Sequence, residues 1–230
     1  MKIGIIGAGQ IGGTLARRLT ALGHKVSVAN SRGPESLADL AAETGATAVS
    51  VPEAVRGAEL IVVTIPEKNI PSLPRGLFAD VGENVVVVDT GNYYPQQRDG
   101  RIGGIEDGLP ESRWVEQQLG HPVVKAFNNI YARHLLEKGR PKGTPGRIAL
   151  PVAGDPKGKA VVLKLVDELG FDGVDAGSLD ESWRQQPGTP VYTKDYDAEG
   201  VRGALSKASR ERTPAWRATA KSPGNFTAPA

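Results

Sequence analysis

The sequence predicts an α/β fold of the doubly wound kind, a mostly parallel sheet with helices on both faces and a small C-terminal α/β extension. Three observations carry this. A short apolar run at 2–6 leads directly into Gly7-Ala8-Gly9-Gln10-Ile11-Gly12, after which Ile11, Leu15, Leu19 and Leu22 recur at helical spacing. Further apolar runs alternate with helical patterns through the first 130 residues, the order that builds a parallel sheet by right-handed crossovers. A last strand, helix and strand pattern follows over 147–176.

The opening stretch defines a Rossmann-type dinucleotide site. Of its glycines, Gly7 makes the tight turn, Gly9 lets backbone approach a pyrophosphate, and Gly12 lets helix pack closely on strand; Gln10 and Ile11 open the helix. The helix N-terminus, with unpaired N–H groups and a favourable dipole, suits an anion. A second strand at 25–29 ends in Asn30-Ser31-Arg32, where enzymes of this fold that select NAD place an acid for the ribose 2′-OH. An acid would repel a 2′-phosphate, whereas Ser31 offers a hydroxyl and Arg32 a planar cationic fork, so the expected cofactor is NADP. Ser31 can also cap the following helix, with Pro34 in its first turn; the two roles are compatible.

Leu37, Leu40 and Ala41 give that helix its apolar face and Gly45 stops it. A third strand at 46–50, a short helix at 52–56 and a fourth strand at 59–65 continue the alternation. Thr64-Ile65-Pro66 falls at the carboxyl end of the fourth strand, where ligands of open α/β sheets gather; Pro66 either borders the nicotinamide or simply ends the strand. A fifth strand at 84–89 is nearly all apolar and runs into Thr90-Gly91-Asn92-Tyr93-Tyr94. Asn92 can hold a carboxamide or ring carbonyl, or it is a turn asparagine. After a glycine-rich loop at 98–109 and a helix at 112–119, a sixth strand at 122–126 ends in Phe127-Asn128-Asn129-Ile130, which brings Lys125 and both asparagines toward the same crevice.

Past residue 130 come a helix at 131–138, a basic turn-rich loop at 139–146, a strand at 147–153, a helix capped by Asp155 with Pro156 in its first turn, and a strand at 171–176. Trp183-Arg184-Gln185-Gln186 combines a flat apolar face with several donors, as a planar aromatic ligand would want, or is a tryptophan packed under a loop. Residues 197–212 read as a last helix. The division expected is an NADP-binding unit at 1–130, an extension at 131–212 completing a substrate cleft, and an Ala/Pro/Ser/Thr-rich tail at 213–230, poorly ordered or docked on a partner.

Composition narrows the chemistry. With 28 basic against 26 acidic residues and no basic block, nucleic acid is not implied. The absence of cysteine removes disulfides, thiolate catalysis and cysteine metal sites. No apolar run approaches the ~18 residues of a membrane span, and a strand starting at residue 2 leaves no room for a leader, so a cytoplasmic, membrane-free protein is expected. His24, His121 and His134 are far apart with no ligand spacing, and no metal is expected. The lack of an obvious nucleophile or acid–base set suits hydride transfer, in which a reduced nicotinamide carries the hydride and protein side chains bind and orient. If the acceptor also needs a proton, Lys125 is the candidate donor, with Asn128 beside it.

The glycine motif, Asn30-Ser31-Arg32-Gly33-Pro34-Glu35, Thr64-Ile65-Pro66, 89–92 and Lys125-Ala126-Phe127-Asn128 together resemble the NADP oxidoreductases dependent on coenzyme F420, a deazaflavin. The NADPH-oxidoreductase domains of STEAP-type ferric reductases are similar too. The resemblance spans roughly residues 1–175 and implies a homodimer, the 2′-phosphate at Ser31 and Arg32, and hydride exchange with a deazaflavin or flavin in a cleft between the two parts. The segment after Gly177 departs from the family pattern, which bears on the identity of the small redox acceptor. A non-catalytic NADP-binding sensor or scaffold is the alternative the residues leave open.

Overall fold

A computed structural model describes residues 1–227. Six strands, β1 (Lys2–Ile6), β2 (Lys25–Ala29), β3 (Thr47–Ala48), β4 (Leu60–Val63), β5 (Val86–Asp89) and β6 (Val123–Lys125), pair in parallel in the order β3-β2-β1-β4-β5-β6. Chain order reverses between β1 and β4, so the carboxyl ends of those strands open a crevice at the switch point. Connecting helices are α1 (Gln10–Ala21), α2 (Ala38–Thr44), α3 (Val51–Val55), α4 (Gly103–Glu106) and α5 (Glu111–Leu119).

Successive strand residues point to opposite faces, and this sorts the apolar runs into two cores. Leu60 and Val62 of β4 join Ile3, Leu15, Leu19 and Val28 on one face. Ile61 and Val63 join Val87, Trp114 and Val115 on the other. The runs are continuous in sequence because both faces are covered.

After β6 come α6 (Ala132–Glu137), β7 (Ala149–Val152), α7 (Pro156–Glu168), β8 (Asp172–Asp175) and α8 (Ala198–Ser206). β7 and β8 form a parallel pair that joins the large sheet through an antiparallel bridge, Lys125 and Ala153 exchanging backbone bonds of 2.8 and 3.1 Å. The extension therefore prolongs the sheet at its β6 edge. Asp155 caps α7 as its sequence implies, accepting from the Lys157 and Gly158 amides. Arg18 staples α1 to the extension, donating to the carbonyls of Leu135, Leu136 and Leu169.

Several predicted elements shift. β3 shortens to two residues because it pairs only with β2, although Val49 still donates to Val28 at 3.0 Å. The last helix stops at Ser206 rather than 212. Arg210 beyond it lies over the Trp183 ring at 5.2 Å and Arg212 reaches buried Glu111 at 3.1 Å, contacts that a continuing helix would not make. The tail, expected to be poorly ordered or partner-docked, lies on its own chain through residue 227. The Gln96 side-chain amide donates to the carbonyls of Pro214, Ala215 and Arg217, and the Ala218 amide donates to Glu106 at 2.7 Å. Residues 228–230 lie outside the described part of the chain.

Candidate cofactor and acceptor site

β1 delivers Gly7 at φ 109°, where its amide donates to Ala29 at 2.8 Å. A β-carbon at Gly7 would strike the Thr64 carbonyl, and one at Gly12 would fall on the Gly7 carbonyl. At Gly9 it would meet nothing within 4 Å. Gly7 and Gly12 are thus glycines because the fold is tight there; Gly9 is the one left open toward a ligand. It caps α1 in extended conformation with no side-chain cap, so the leading N–H groups of α1, at Gln10, Ile11 and Gly12, have no intrahelical acceptor. The set fits a dinucleotide pyrophosphate.

At the end of β2, Ser31 and Arg32 are exposed. Asn30 rather than Ser31 organises the turn: its Oδ1 accepts from the Arg32 amide at 2.8 Å and its Nδ2 donates to Ser36 Oγ at 2.8 Å. Ser31 is not the helix cap, since the following 3-10 turn starts from Gly33 without side-chain capping. Among the described residues the Ser31 side chain has no hydrogen-bond partner, and it stands exposed beside Arg32. A cleft of about 480 Å³ runs from Gly9 and Gln10 past Arg32 to Arg17 on α1 and Arg133 on α6. Asp39 and Glu43 of α2 also face it, and Glu43 is paired with Arg17 at 2.6 Å. Arg17 and Arg133 escaped sequence reasoning; Arg133 lies 101 positions beyond Arg32 in the numbering and packing of α6 on α1 brings it there.

Thr64, Ile65 and Pro66 stand half-exposed at the end of β4, the Thr64 amide bonded to Ile6 at 2.9 Å. β4 itself ends at Val63, and Pro66 leads into a 3-10 segment, Glu67–Ser72. Asn92, Asn128 and Gln185 form one amide chain. Asn92 Nδ2 donates to the Asn128 carbonyl at 2.9 Å, Asn128 Nδ2 to Asn92 Oδ1 at 3.0 Å and to the Gln185 carbonyl at 2.7 Å, and Gln185 Nε2 to Asn128 Oδ1 at 3.0 Å. The Trp183 loop is thereby tied to the sheet edge, with Arg210 on the indole face.

Lys125, the proton-donor candidate, is fully buried, its Nζ 3.0 Å from Asp89 Oδ2 and 2.6 Å from the Gly91 carbonyl. Burial works against the ammonium, but Asp89, Glu111 and Glu67 outweigh it and hold the pKa above that of an ordinary lysine. The group is a fixed cation under the crevice floor. Beside it sits Glu67, fully buried with neither carboxylate oxygen partnered among the described residues. Burial, then the charge of Asp89, push Glu67 well above the usual carboxylate range, against the pull of Lys125. In the sequence Glu67 reads as one more polar residue after a strand.

The histidines serve structure. His24 lies 3.4 Å from Glu168, His134 2.9 Å from Asp195, and His121 packs on Phe78. Among the described residues no group of histidine and acids is arranged to hold a metal, and no helix is long and apolar enough to cross a membrane.

The strand order and the open glycine at a helix N-terminus define the class of doubly wound, dinucleotide-binding folds. Within that class, residues 2–93 match the family described as NADP oxidoreductase, coenzyme F420-dependent. The chain is 46% identical over 71 residues to the Escherichia coli (strain K12) protein YjhV, covering 30% of this chain and 52% of that one. It is 29% identical over 180 residues to the metalloreductase STEAP3 of Rattus norvegicus, covering 77% of this chain and 34% of that one. The chain thus spans about half and about a third of these two relatives' lengths. A solved structure of a hypothetical protein, SMa0349, from Sinorhizobium meliloti superposes with a TM-score of 0.72 at 29% identity, covering 85% of this chain and 94% of that one. The likeness to the F420-dependent NADP oxidoreductases is thus carried by residues 2–93, and that to SMa0349 by most of both chains.

Two expectations follow. Lys125→Met strands Asp89 as a buried unpaired charge and should cost about 3–5 kcal/mol in urea unfolding; a loss under about 1 kcal/mol would show that the pair is relaxed or hydrated. Glu67 binds its proton more tightly folded than unfolded, so its contribution is present below the ordinary carboxylate range and is lost as pH rises toward its raised pKa. Glu67→Gln, which is neutral at every pH, should therefore gain stability over wild type as pH increases from about 5 to about 9. Parallel stability–pH curves for the two proteins would contradict the assignment.

Proposed function

We propose that this protein transfers a hydride between NADP(H) and a second redox carrier or small acceptor, a deazaflavin or flavin before others. One observation carries the reading: the glycine left open at the α1 N-terminus shares a cleft with an exposed arginine and no acid at the end of β2. Bound NADPH would supply the hydride. The first-turn N–H groups of α1 would hold the pyrophosphate, and Ser31 and Arg32 the 2′-phosphate. Thr64, Ile65, Pro66 and Asn92 border the carboxyl edge where the ring would lie, Asn92 offering a carboxamide partner.

Lys125 acts as a positioning residue, holding the Gly91 carbonyl and so the loop that presents Asn92; Asn128 fixes the Asn92 side chain. The deazaflavin is supported by the family match over the N-terminal unit and by the earlier motif resemblance; the homodimer and the cytoplasmic location rest on the reading of the sequence.

Wild type should bind NADPH more tightly than NADH. Arg32→Ala should weaken NADPH about tenfold while moving NADH less than about twofold, because a charge-assisted bond to the 2′-phosphate is the only contact removed. Equal affinities in the wild type would sink the NADP claim. Oxidation of NADPH followed at the nicotinamide absorbance with deazaflavin, flavin, ferric and carbonyl acceptors tests the chemistry. Turnover with the first two supports the proposal, and no turnover with any acceptor leaves a binding module instead.

A further inference from the structure

Both loops at the acceptor edge of the crevice are tied to one turn of chain, Pro95–Asp99. Asp99, 8% exposed, accepts from the Lys68 amide at 3.3 Å and from the Tyr94 amide at 2.8 Å. Lys68 follows Pro66 past β4 and Tyr94 follows Asn92 past β5, so a single carboxylate links the two loops. Arg98 adds a second tie: it pairs with Asp99 at 2.8 Å, lies over the Tyr94 ring at 4.9 Å and donates to the Asn92 carbonyl. Whatever fixes this turn fixes Asn92 relative to the chain at Pro66.

A single short turn is marginal by itself in water, so its order comes from what packs on it. Here that is the tail. The Gln96 side-chain amide donates to the carbonyls of Pro214, Ala215 and Arg217 at 3.0, 3.2 and 3.1 Å. Trp216 sets its indole between the two parts of the chain. The ring lies 6.1 Å from that of Tyr94 on the sheet side and 6.2 Å from that of Tyr192 on the extension side, and a β-carbon at Gly188 would strike it. Neither Gln96 nor Trp216 lines the cleft of Gly9 and Arg32. We propose that the tail is a positioning strap for the acceptor edge: Trp216 and the carbonyls bonded to Gln96 set the turn Pro95–Asp99, and through Asp99 and Arg98 the two loops that border the ring. The role of that edge rests on the hydride-transfer reading; the mechanical link from tail to loops does not.

Hydrogen exchange tests the link and steady-state kinetics the role, both on the full chain. The variants are Trp216→Ala and Gln96→Glu, the second keeping the shape but setting an acceptor against carbonyls. In each, the amides of Lys68, Tyr94, Arg98 and Asp99 should exchange about tenfold faster, while those of Gly7 and Gly13 at the cofactor end stay within about twofold. The kcat/KM for FMN or coenzyme F420, whichever the wild type reduces, should fall about tenfold with the Kd for NADPH moved less than about twofold, and Trp216→Phe should restore most of the loss. Faster exchange at Gly7 and Gly13 as well would make Trp216 a general support of the fold and overturn the proposal. Unchanged exchange at 94–99, or faster exchange with kcat/KM intact, would overturn it too. Should Trp216→Ala fail to fold, Gln96→Glu decides by the same readouts. If the wild type reduces neither acceptor, the hydride-transfer reading falls, and the exchange pattern alone decides whether the strap holds the loops.

Discussion

A fully buried lysine holds the two parts of this chain together. The Lys125 side chain bridges Asp89 at the end of β5 and the Gly91 carbonyl beyond it, while its backbone pairs with Ala153 at the end of β7. Asp89 in turn accepts from the Gly91 amide and from Ser112 on α5, each at 2.7 Å. Lys125 and Asp89 meet these partners in one geometry, so the buried pair acts as a register pin more than as a source of stability. Two residues after Lys125, Phe127 takes φ 61°, an uncommon value for a non-glycine residue, and the turn leads to Asn128 beneath Asn92. Sheet, extension and crevice meet at one ion pair.

Much of the fold was legible in the sequence because the relevant physics is local. A run buried on both faces reads as a continuous apolar stretch, and a glycine turn between strand and helix needs only neighbours to be recognised. The proposed phosphate end could be read for the same reason: Gly7, Gly9, Gly12 and Arg32 all fall within one strand, helix, strand and the turn after it. The other end was not. Glu67 is unusual only because of what surrounds it, Arg133 faces the cleft only because α6 lies on α1, and Asn30 displaced Ser31 as the turn's organiser through a contact with Ser36. The end of α8 escaped because Trp183 and Glu111, on other elements, decide where the chain leaves the helix.

The tail shows how composition can mislead. An Ala/Pro/Ser/Thr-rich segment has too little apolar surface to fold alone, yet this one is held by carboxylates buried elsewhere. Glu106, 8% exposed, takes the Arg217 guanidinium at 3.2 Å and the Ala218 amide at 2.7 Å. Glu111, fully buried, takes Arg212. Trp216 packs against both Tyr94 and Tyr192, whose hydroxyls meet. Charge-assisted bonds from fixed acids do what a hydrophobic face would do in a helix.

On the proposed reading, the two ends of the crevice recognise ligands by different means. The phosphate end uses backbone N–H groups whose direction the helix sets, so side-chain identity matters mainly where glycine must leave room. The acceptor end uses amides that hold one another. Asn92 gives one N–H and one lone pair to Asn128, and an amide has two of each. Half its capacity stays free while its orientation is already fixed, so a planar carboxamide or ring carbonyl can be met without further ordering of the side chain. Groups aimed before the ligand arrives cost little reorganisation when it does. On the proposed reading, with Lys125 locked in a buried ion pair, placement is the work required of the protein.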